Sequence, residues 1–580
     1  MFDYLPTNLA EIKQKGWDSV DIILISGDAY VDHPSFAAAI IGRYLESKGY
    51  KVAIIPQPNW NNEADFTVCG KPNLFFGITS GNLDSMIANY TSEKNARRED
   101  EYSENCQPGK RPDRAVIVYS NLVRRLFPES PIVIGGIEAS LRRFTHYDFW
   151  SNNLRRSILF DTRADILVYG MGEESIVEIA SRIRNKQSLV EIPNTAYISS
   201  ELPSNSEICL FLPSHEEQVK NKTLFLSTAL LYEKEMAKKY PRRIIHPCQN
   251  KFVILESPKS ISLEEFDKLY FLPFMRTAHP RYHGPIPAYS FVKDSVVTHR
   301  GCYGGCSFCS LTVHQGKNII SRSEDSILSE IKDVVSKDKT FKGVIQDVGG
   351  PSANMYGSVC SLPDGCNRLS CIFPDICKNL VHNQKKHLKL LSTIMNIAGV
   401  NKVFVNSGVR YDLALLSPEY MEGLIGKHIS GQLSMAPEHY CKNVLDLMQK
   451  PEFSVYERFV GEFQRINKKV GKQQYIIPYF ISSHPGCKLD DMFALAMYMR
   501  KNKMRIKQVQ NYIPIPLTLS AAMYYCESDV FTKKPIYVAK GDDRKIQRAL
   551  LQPWLDINKK LVQKALIKLN QLKQFSFLTN

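Results

Sequence analysis

At 580 residues the chain is too long for a single hydrophobic core, so several domains are expected. With 44% hydrophobic and 23% charged residues it has the composition of an ordinary globular protein, and no apolar run approaches the roughly 18 residues of a membrane span. The N-terminal Met1-Phe-Asp-Tyr-Leu-Pro6 lacks the charged and apolar regions of a secretory leader; the expectation is a cytoplasmic protein with no membrane partner. A net charge of +15 fits either an anionic partner such as RNA or a Lys-rich solvated surface, and no RNA-binding signature accompanies it. Of fourteen cysteines, seven fall between Cys302 and Cys377, a clustering that points to metal rather than to disulfides.

Residues 1–198 read as alternating strands and helices. Asp21-Ile-Ile-Leu-Ile-Ser26 is a short apolar run, residues 34–48 have helical periodicity ending at Gly49, and Val52-Ala-Ile-Ile55 is a second strand. Leu74-Phe-Phe-Gly-Ile78, Arg114-Ala-Val-Ile-Val-Tyr119, Pro131-Ile-Val-Ile-Gly135 and Asp165-Ile-Leu-Val-Tyr169 add buried-strand candidates. The expected fold is a doubly wound parallel sheet, with any ligand at the carboxyl ends of its strands. This layout resembles the cobalamin-binding domain that precedes many radical S-adenosylmethionine (SAM) cores. Such domains carry Asp-x-His-x-x-Gly after the first strand, whereas Asp32-His33-Pro34 places the histidine one position early and lacks the glycine. Cobalt ligation, and with it bound cobalamin, is therefore not expected.

Residues 199–290 are more polar and read as a connector, with a Lys-rich helix over 224–239 and a Pro/His-rich stretch over 273–287. His279 and His283 are four apart, but Pro280 and Pro285 argue for a loop. A second alternation fills 291–540. Strands are predicted at Ser295-Val-Val-Thr298, Gly343-Val-Ile345, Lys402-Val-Phe-Val405, 428–435, 475–481 and 508–513, with helices between them, as at 323–336 and 455–470. Six such strands make a partial (β/α)6 barrel, whose carboxyl-end loops carry the chemistry. Residues 541–580 form a basic C-terminal extension with an amphipathic helix over 554–572.

The loop after the first barrel strand is Arg300-Gly-Cys302-Tyr-Gly-Gly-Cys306-Ser-Phe-Cys309-Ser310. A C-x3-C-x2-C spacing offers three thiolates where a cubic iron–sulfur cluster takes four, leaving one iron open to a small molecule. A zinc site pairs its cysteines differently, and a disulfide needs an oxidising compartment. The loop is similar to that of radical SAM enzymes, with Phe308 just before the third cysteine and glycines that allow a tight backbone path. Gly349-Gly350 stands where those enzymes place a Gly-Gly-Glu edge for the methionine amine, although Pro351 follows here. Ser407-Gly-Val-Arg410 and Ala436-Pro-Glu438-His439 bring polar groups to the same rim. Arg410 suits the methionine carboxylate and Glu438 the ribose hydroxyls or the amine; both are also readable as ion pairs. Downstream, Cys360, Cys366, Cys371 and Cys377 offer four more thiols, for a zinc ion, an auxiliary cluster, or no metal at all.

Gly27-Asp-Ala-Tyr-Val-Asp-His-Pro34, Gly135-Gly-Ile-Glu-Ala-Ser-Leu-Arg-Arg143, His146-Tyr-Asp-Phe-Trp150, the cysteine loop, Gly349-Gly-Pro-Ser-Ala-Asn-Met-Tyr356, Ser407-Gly-Val-Arg-Tyr-Asp412, Ala436-Pro-Glu-His439 and Tyr479-Phe-Ile-Ser-Ser-His-Pro-Gly486 together resemble the YgiQ-type radical SAM proteins over nearly the whole chain. The resemblance implies that Cys302, Cys306 and Cys309 ligate a [4Fe–4S] cluster, that SAM is the second cofactor, and that an external donor of the flavodoxin or ferredoxin kind supplies electrons. The expected function is an enzyme that generates a 5′-deoxyadenosyl radical to act on a small molecule between the sheet and the barrel mouth. Modification of RNA or protein, methylthio transfer included, and iron–sulfur redox sensing without turnover are the alternatives.

Overall fold

Short aliphatic runs, too apolar to leave either face in water, build the first half of the computed structural model, which describes residues 3–362 and 366–579. β1 (Ile22–Ser26), β2 (Val52–Pro56), β3 (Phe75–Thr79), β4 (Ile132–Ile134) and β5 (Ile166–Val168) pair in parallel in the spatial order β2-β1-β3-β4-β5. Every residue of β1 and β2 is buried, as a parallel sheet with helices on both faces requires. Strand order reverses between β1 and β3, so their carboxyl ends open a crevice at the topological switch point.

Two expectations are corrected here. Arg114-Ala-Val-Ile-Val-Tyr119 is not a strand; it opens the helix Ala115–Leu126, whose residues Ala115, Val116, Tyr119 and Val123 form one buried stripe. Five β-branched and apolar residues cannot be told from a buried helix turn until the pattern is followed further, and here it continues at helical spacing. The connector is also part of the sheet. β6 (Thr195–Ser199), β7 (Leu210–Phe211), β8 (Ile244–Cys248) and β9 (Lys251–Leu255) extend it in the order β5-β6-β9-β8-β7, to nine strands. β6 runs antiparallel to both β5 and β9. β8 and β9 form a hairpin through Gln249 and Asn250, both at positive φ, so a polar turn interrupts the apolar pattern.

Among the strands of the second half, six succeed one another as expected: β10 (Ser295–Val297), β11 (Asp347–Gly349), β12 (Lys402–Val403), β13 (Gln432–Glu438), β14 (Tyr475–Ser482) and β15 (Gln510–Asn511). β10 pairs in parallel with β11, and Val344–Ile345, just before β11, pairs in parallel with β12. The Val405 amide donates to the His428 carbonyl at 3.0 Å, tying β12 to the chain entering β13. β13, β14 and β15 are parallel neighbours. This is the partial barrel, with Leu390, Leu424, Phe459 and Leu495 in its buried core. The C-terminal helix Asp556–Lys568 packs Val562, Ala565 and Leu566 into that same core. Among the described residues no helix is long and apolar enough to cross a membrane.

A buried ion pair joins the two halves: Arg300, from the chain just after β10, donates from Nη1 to Glu173 Oε1 at 2.6 Å, beyond the carboxyl end of β5. Buried histidines set the acid limit of the fold. Burial holds His246, His299, His439 and His484 down to about 3, so they stay neutral when folded and take up protons only on unfolding. Their folded pKa lies below the unfolded value, so the stabilisation is complete above about pH 6.5 and is lost as pH falls from there toward 3. Each costs about 1.4 kcal/mol per pH unit in that window. Thermal melts between pH 7 and pH 5 should show a steadily falling Tm, and a flat profile would contradict this.

Candidate iron–sulfur and SAM site

The cysteine loop leaves the end of β10 and is pinned at both ends. The Cys302 amide donates to the Gly316 carbonyl at 3.1 Å, Thr312 Oγ1 donates to the Cys302 carbonyl at 3.2 Å, and the Cys309 amide donates to the Cys306 carbonyl at 3.1 Å. The helix Ser310–Gln315 follows at once. Gly301 and Gly305 have φ of +89° and +63°, which side chains rarely adopt. A Cβ on Gly301 would also lie 2.0 Å from the Asn318 carbonyl oxygen, so the turn belongs to glycine on two grounds. At Gly304 a Cβ would sit 3.3 Å from Cys302 Sγ, 3.8 Å from Cys306 Sγ and 3.8 Å from Arg410 Nη1, which locates two thiols and a guanidinium around one point.

The third thiol belongs to the same group. Burial, reinforced by the neighbouring Cys306 and Cys302 thiols, pushes Cys309 up to about 12. Burial and Cys306 likewise raise Cys302, against the pull of the Gly304 amide, Arg410 and Lys450. Buried thiols facing one another hold their protons until a metal displaces them. Among the described residues no three Cys, His, Asp or Glu side chains close on one point as a single ion requires. A cubic cluster makes no such demand, because each thiolate has its own iron.

Carboxyl-end loops of the next strands bring up the expected SAM residues. Gly349 and Gly350 pack where side chains cannot go: a Cβ on Gly349 would lie 1.9 Å from Ser407 Oγ, and one on Gly350 would lie 2.7 Å from the His299 ring. The Ser407 amide donates to Asp347 Oδ1 at 3.0 Å, while its buried hydroxyl has no partner. Arg410 forms the ion pair that is the alternative reading of this residue. Its Nε–Nη2 edge is paired, Nε donating to Asp412 Oδ1 at 3.0 Å and Nη2 to Asp412 Oδ2 at 2.6 Å, which leaves the Nη1 side of the guanidinium as its remaining donor edge. Nη1 faces Cys306 Sγ at 3.8 Å. Glu438 sits at a φ of +67° with Oε1 3.7 Å from Lys450 Nζ, both side chains buried. Burial raises its carboxyl pKa against the pull of Lys450 and Arg410. The Phe308 ring lies edge-on to His484, its centroid 6.0 Å away, and packs against the barrel core.

Several participants were not legible from sequence. Ser307 Oγ donates to the Leu447 carbonyl and meets Ser520 Oγ, each at 2.7 Å, and Ser520 in turn meets His484 Nε2 at 2.7 Å. This buried chain fixes the loop between its second and third cysteines. Asn354 exchanges two hydrogen bonds of 2.9 Å with the Arg410 backbone. Lys450, four per cent exposed, belongs to no motif that the sequence singles out.

Behind the cysteine helix, two cavities meet at the sheet edge. One, of about 150 Å³, lies at the switch point, walled by Ala37, Ala38, Gly77, Gly135 and Gly172. The other, of about 140 Å³, is lined by Arg143, Glu233, Lys238, Lys259 and Lys317. Gly170, Met171 and His314 border both. Arg143 Nε and His314 Nδ1 are buried without hydrogen-bond partners. His33 does not line either cavity; its Nδ1 accepts from the Ser35 amide at 3.1 Å.

A profile of the family described as "Radical SAM N-terminal" matches residues 4–295, which takes in the three strands of the former connector. Curated relatives named "UPF0313 protein" from Clostridium botulinum (strain ATCC 19397 / Type A) and Methanocella arvoryzae are 45% and 44% identical, covering 98% and 97% of this chain and 89% and 95% of theirs. Among solved structures, the radical SAM methyltransferase TsrM from Kitasatospora setae, with cobalamin and a [4Fe–4S] cluster bound, is 14% identical at a TM-score of 0.49, over 85% of this chain and 75% of that one. The cobalamin-dependent enzyme OxsB, with aqua-cobalamin and SAM bound, is 10% identical at 0.47, over 98% and 63%. The expectation that cobalamin is not bound is corrected on this finding: the similar solved chains include cobalamin-bound ones. By its full-length relatives and its N-terminal match, the chain belongs to the UPF0313 family, the YgiQ-type radical SAM proteins.

Proposed function

We propose that Cys302, Cys306 and Cys309 hold a [4Fe–4S] cluster with one open iron, that SAM binds between this loop and the ends of β11 to β13, and that the enzyme acts on a small anionic molecule. The observation that carries the cofactor reading is the arrangement around Gly304, where two thiols and Arg410 Nη1 surround one point and the third thiol adjoins them. The unpartnered Ser407 hydroxyl and the raised Glu438 carboxyl lie on the strand-end side. When bound, the cluster supplies the electron that splits the SAM sulfonium into methionine and a 5′-deoxyadenosyl radical, which takes a hydrogen atom from substrate.

The residues of the chain position and insulate. Arg410, kept charged by Asp412 against its burial, holds positive charge beside Cys306. Ser407 offers a hydroxyl to a polar group of SAM. Lys450 opposes the rise that burial imposes on the Glu438 carboxyl, which is placed to meet an amine or ribose hydroxyls. The aliphatic barrel core beneath the site keeps water from the radical.

For the substrate, the paired cavities beside the cysteine helix support a small molecule with an apolar part and an anionic part. Arg143, Lys238, Lys259 and Lys317 supply the charge, and the glycine-lined crevice supplies the apolar wall. Small-molecule fractions of a cell extract should stimulate 5′-deoxyadenosine formation; stimulation by RNA or protein fractions alone would reject the small-molecule reading.

Two substitutions test the cofactor site. Cys302→Ala should lower 5′-deoxyadenosine formation by the anaerobically reduced, iron-reconstituted protein at least about 100-fold, because one ligand in three is lost. Circular dichroism should stay unchanged; SAM cleavage near the wild-type rate would refute the ligand assignment. Lys450→Met should cost about 3 kcal/mol by stranding the buried Glu438 charge, and should weaken SAM binding. Adding Glu438→Gln should recover most of the stability but not the binding. Equal stability of the single and double variants would show that the pair is not coupled.

A further inference from the structure

The second cysteine group has no part in the site above. Val359–Cys360 pairs antiparallel with Leu380–Val381, which sets Cys360 opposite Leu380. The Leu380 amide donates to the Cys377 carbonyl at 3.0 Å, and the Cys377 amide donates to the Cys371 carbonyl at 2.8 Å. Arg368 staples the interior of the loop, giving Nε to the Ser370 carbonyl at 3.0 Å and Nη2 to the carbonyls of Phe373 and Asp375 at 3.1 and 2.5 Å. Its amide donates to Cys366 Sγ at 3.3 Å. Cys371 and Cys377 share one apolar cluster with Cys302 and Tyr303.

This loop also leans directly on the first. The Cys371 amide donates to the Tyr303 carbonyl at 3.0 Å, and Ser370 Oγ donates to the Gly304 carbonyl at 2.7 Å. A Cβ on Gly305 would lie 2.6 Å from the Leu369 carbonyl oxygen. Lys317 Nζ donates to the Arg368 carbonyl, so a cation stands beside the thiols. Cys360 stands opposite Leu380, Leu380 bonds to Cys377 and Cys377 to Cys371, while Arg368 ties Cys366 to Ser370 beside them, so the four cysteines are linked through short backbone contacts.

We propose that Cys360, Cys366, Cys371 and Cys377 ligate a second, cysteine-saturated [4Fe–4S] cluster packed against the SAM-cluster loop. Four thiolates on a cubic core carry net negative charge, which an amide donor to sulfur and the Lys317 ammonium offset. The loop gaps are x5, x4 and x5, not the close pairs of zinc ribbons, and the sulfurs do not close on a single ion. Saturation by cysteine leaves no iron open, so this cluster does not bind SAM.

The test uses the full chain reconstituted anaerobically with iron and sulfide. Wild type should hold about eight irons and about eight sulfides per chain, for two cubic clusters. The Cys302→Ala/Cys306→Ala/Cys309→Ala variant should keep about four of each, with an electron paramagnetic resonance spectrum after reduction that SAM does not alter. Cys360→Ala/Cys371→Ala should lose that signal and keep one that SAM does alter. Wild type holding about four irons, a triple variant holding none, or zinc bound through Cys371 and Cys377 would each overturn the second cluster while leaving the first intact. If the triple variant does not fold, the wild-type count alone decides.

Discussion

Everything functional in this molecule depends on a backbone that turns too tightly for side chains at Gly301 and Gly305. Three buried thiols repel one another as thiolates and cannot reach a common region from a helix or a strand. They need a loop whose path is set by steric necessity and locked by its neighbours. The Gly316 and Asn318 backbone on one side, the Leu369–Ser370 segment on another and the Ser307–Ser520–His484 chain beneath supply those locks. The Arg300–Glu173 pair then holds the N-terminal sheet against this loop. Breaking one partner of a pair so buried costs several kcal/mol, so the sheet edge and the cysteine helix are fixed relative to each other.

That constraint explains why two independent α/β units share one working region. A parallel sheet opens its crevice at strand carboxyl ends, and so does a barrel of parallel strands. Here the two sets of ends meet across the helix Ser310–Gln315, whose His314 borders both sheet-side cavities. The proposed cofactor site on the barrel side and the proposed ligand cavities on the sheet side need no further element to bring them together.

Much of this was legible in the sequence, for identifiable reasons. Fully buried parallel strands are unbroken aliphatic runs, so β1 to β5 stood out; the cysteine spacing and the glycines around it carry their chemistry in their order. The failures have causes as specific. Arg114-Ala-Val-Ile-Val-Tyr119 has strand composition but helical continuation, and only its packed stripe on Ala115, Tyr119 and Val123 decides between them. The strands within 199–290 are two to five residues long and include antiparallel members, so the polar turns outweigh the apolar signal. At the site, the pairing of Arg410 with Asp412, two residues on, is a contact that a sequence does not show. Lys450 and Asn354 act through positions distant along the chain, which no local pattern encodes.

The central claim is that the three-cysteine loop leaves one iron open and that SAM occupies it. Electron–nuclear double resonance on the reduced wild-type protein, with SAM isotopically labelled in its methionine amine and carboxylate, tests this most directly. Hyperfine coupling from both labelled groups to the cluster is the predicted result. A cluster spectrum that SAM leaves unchanged, with no coupling to either label, would contradict it.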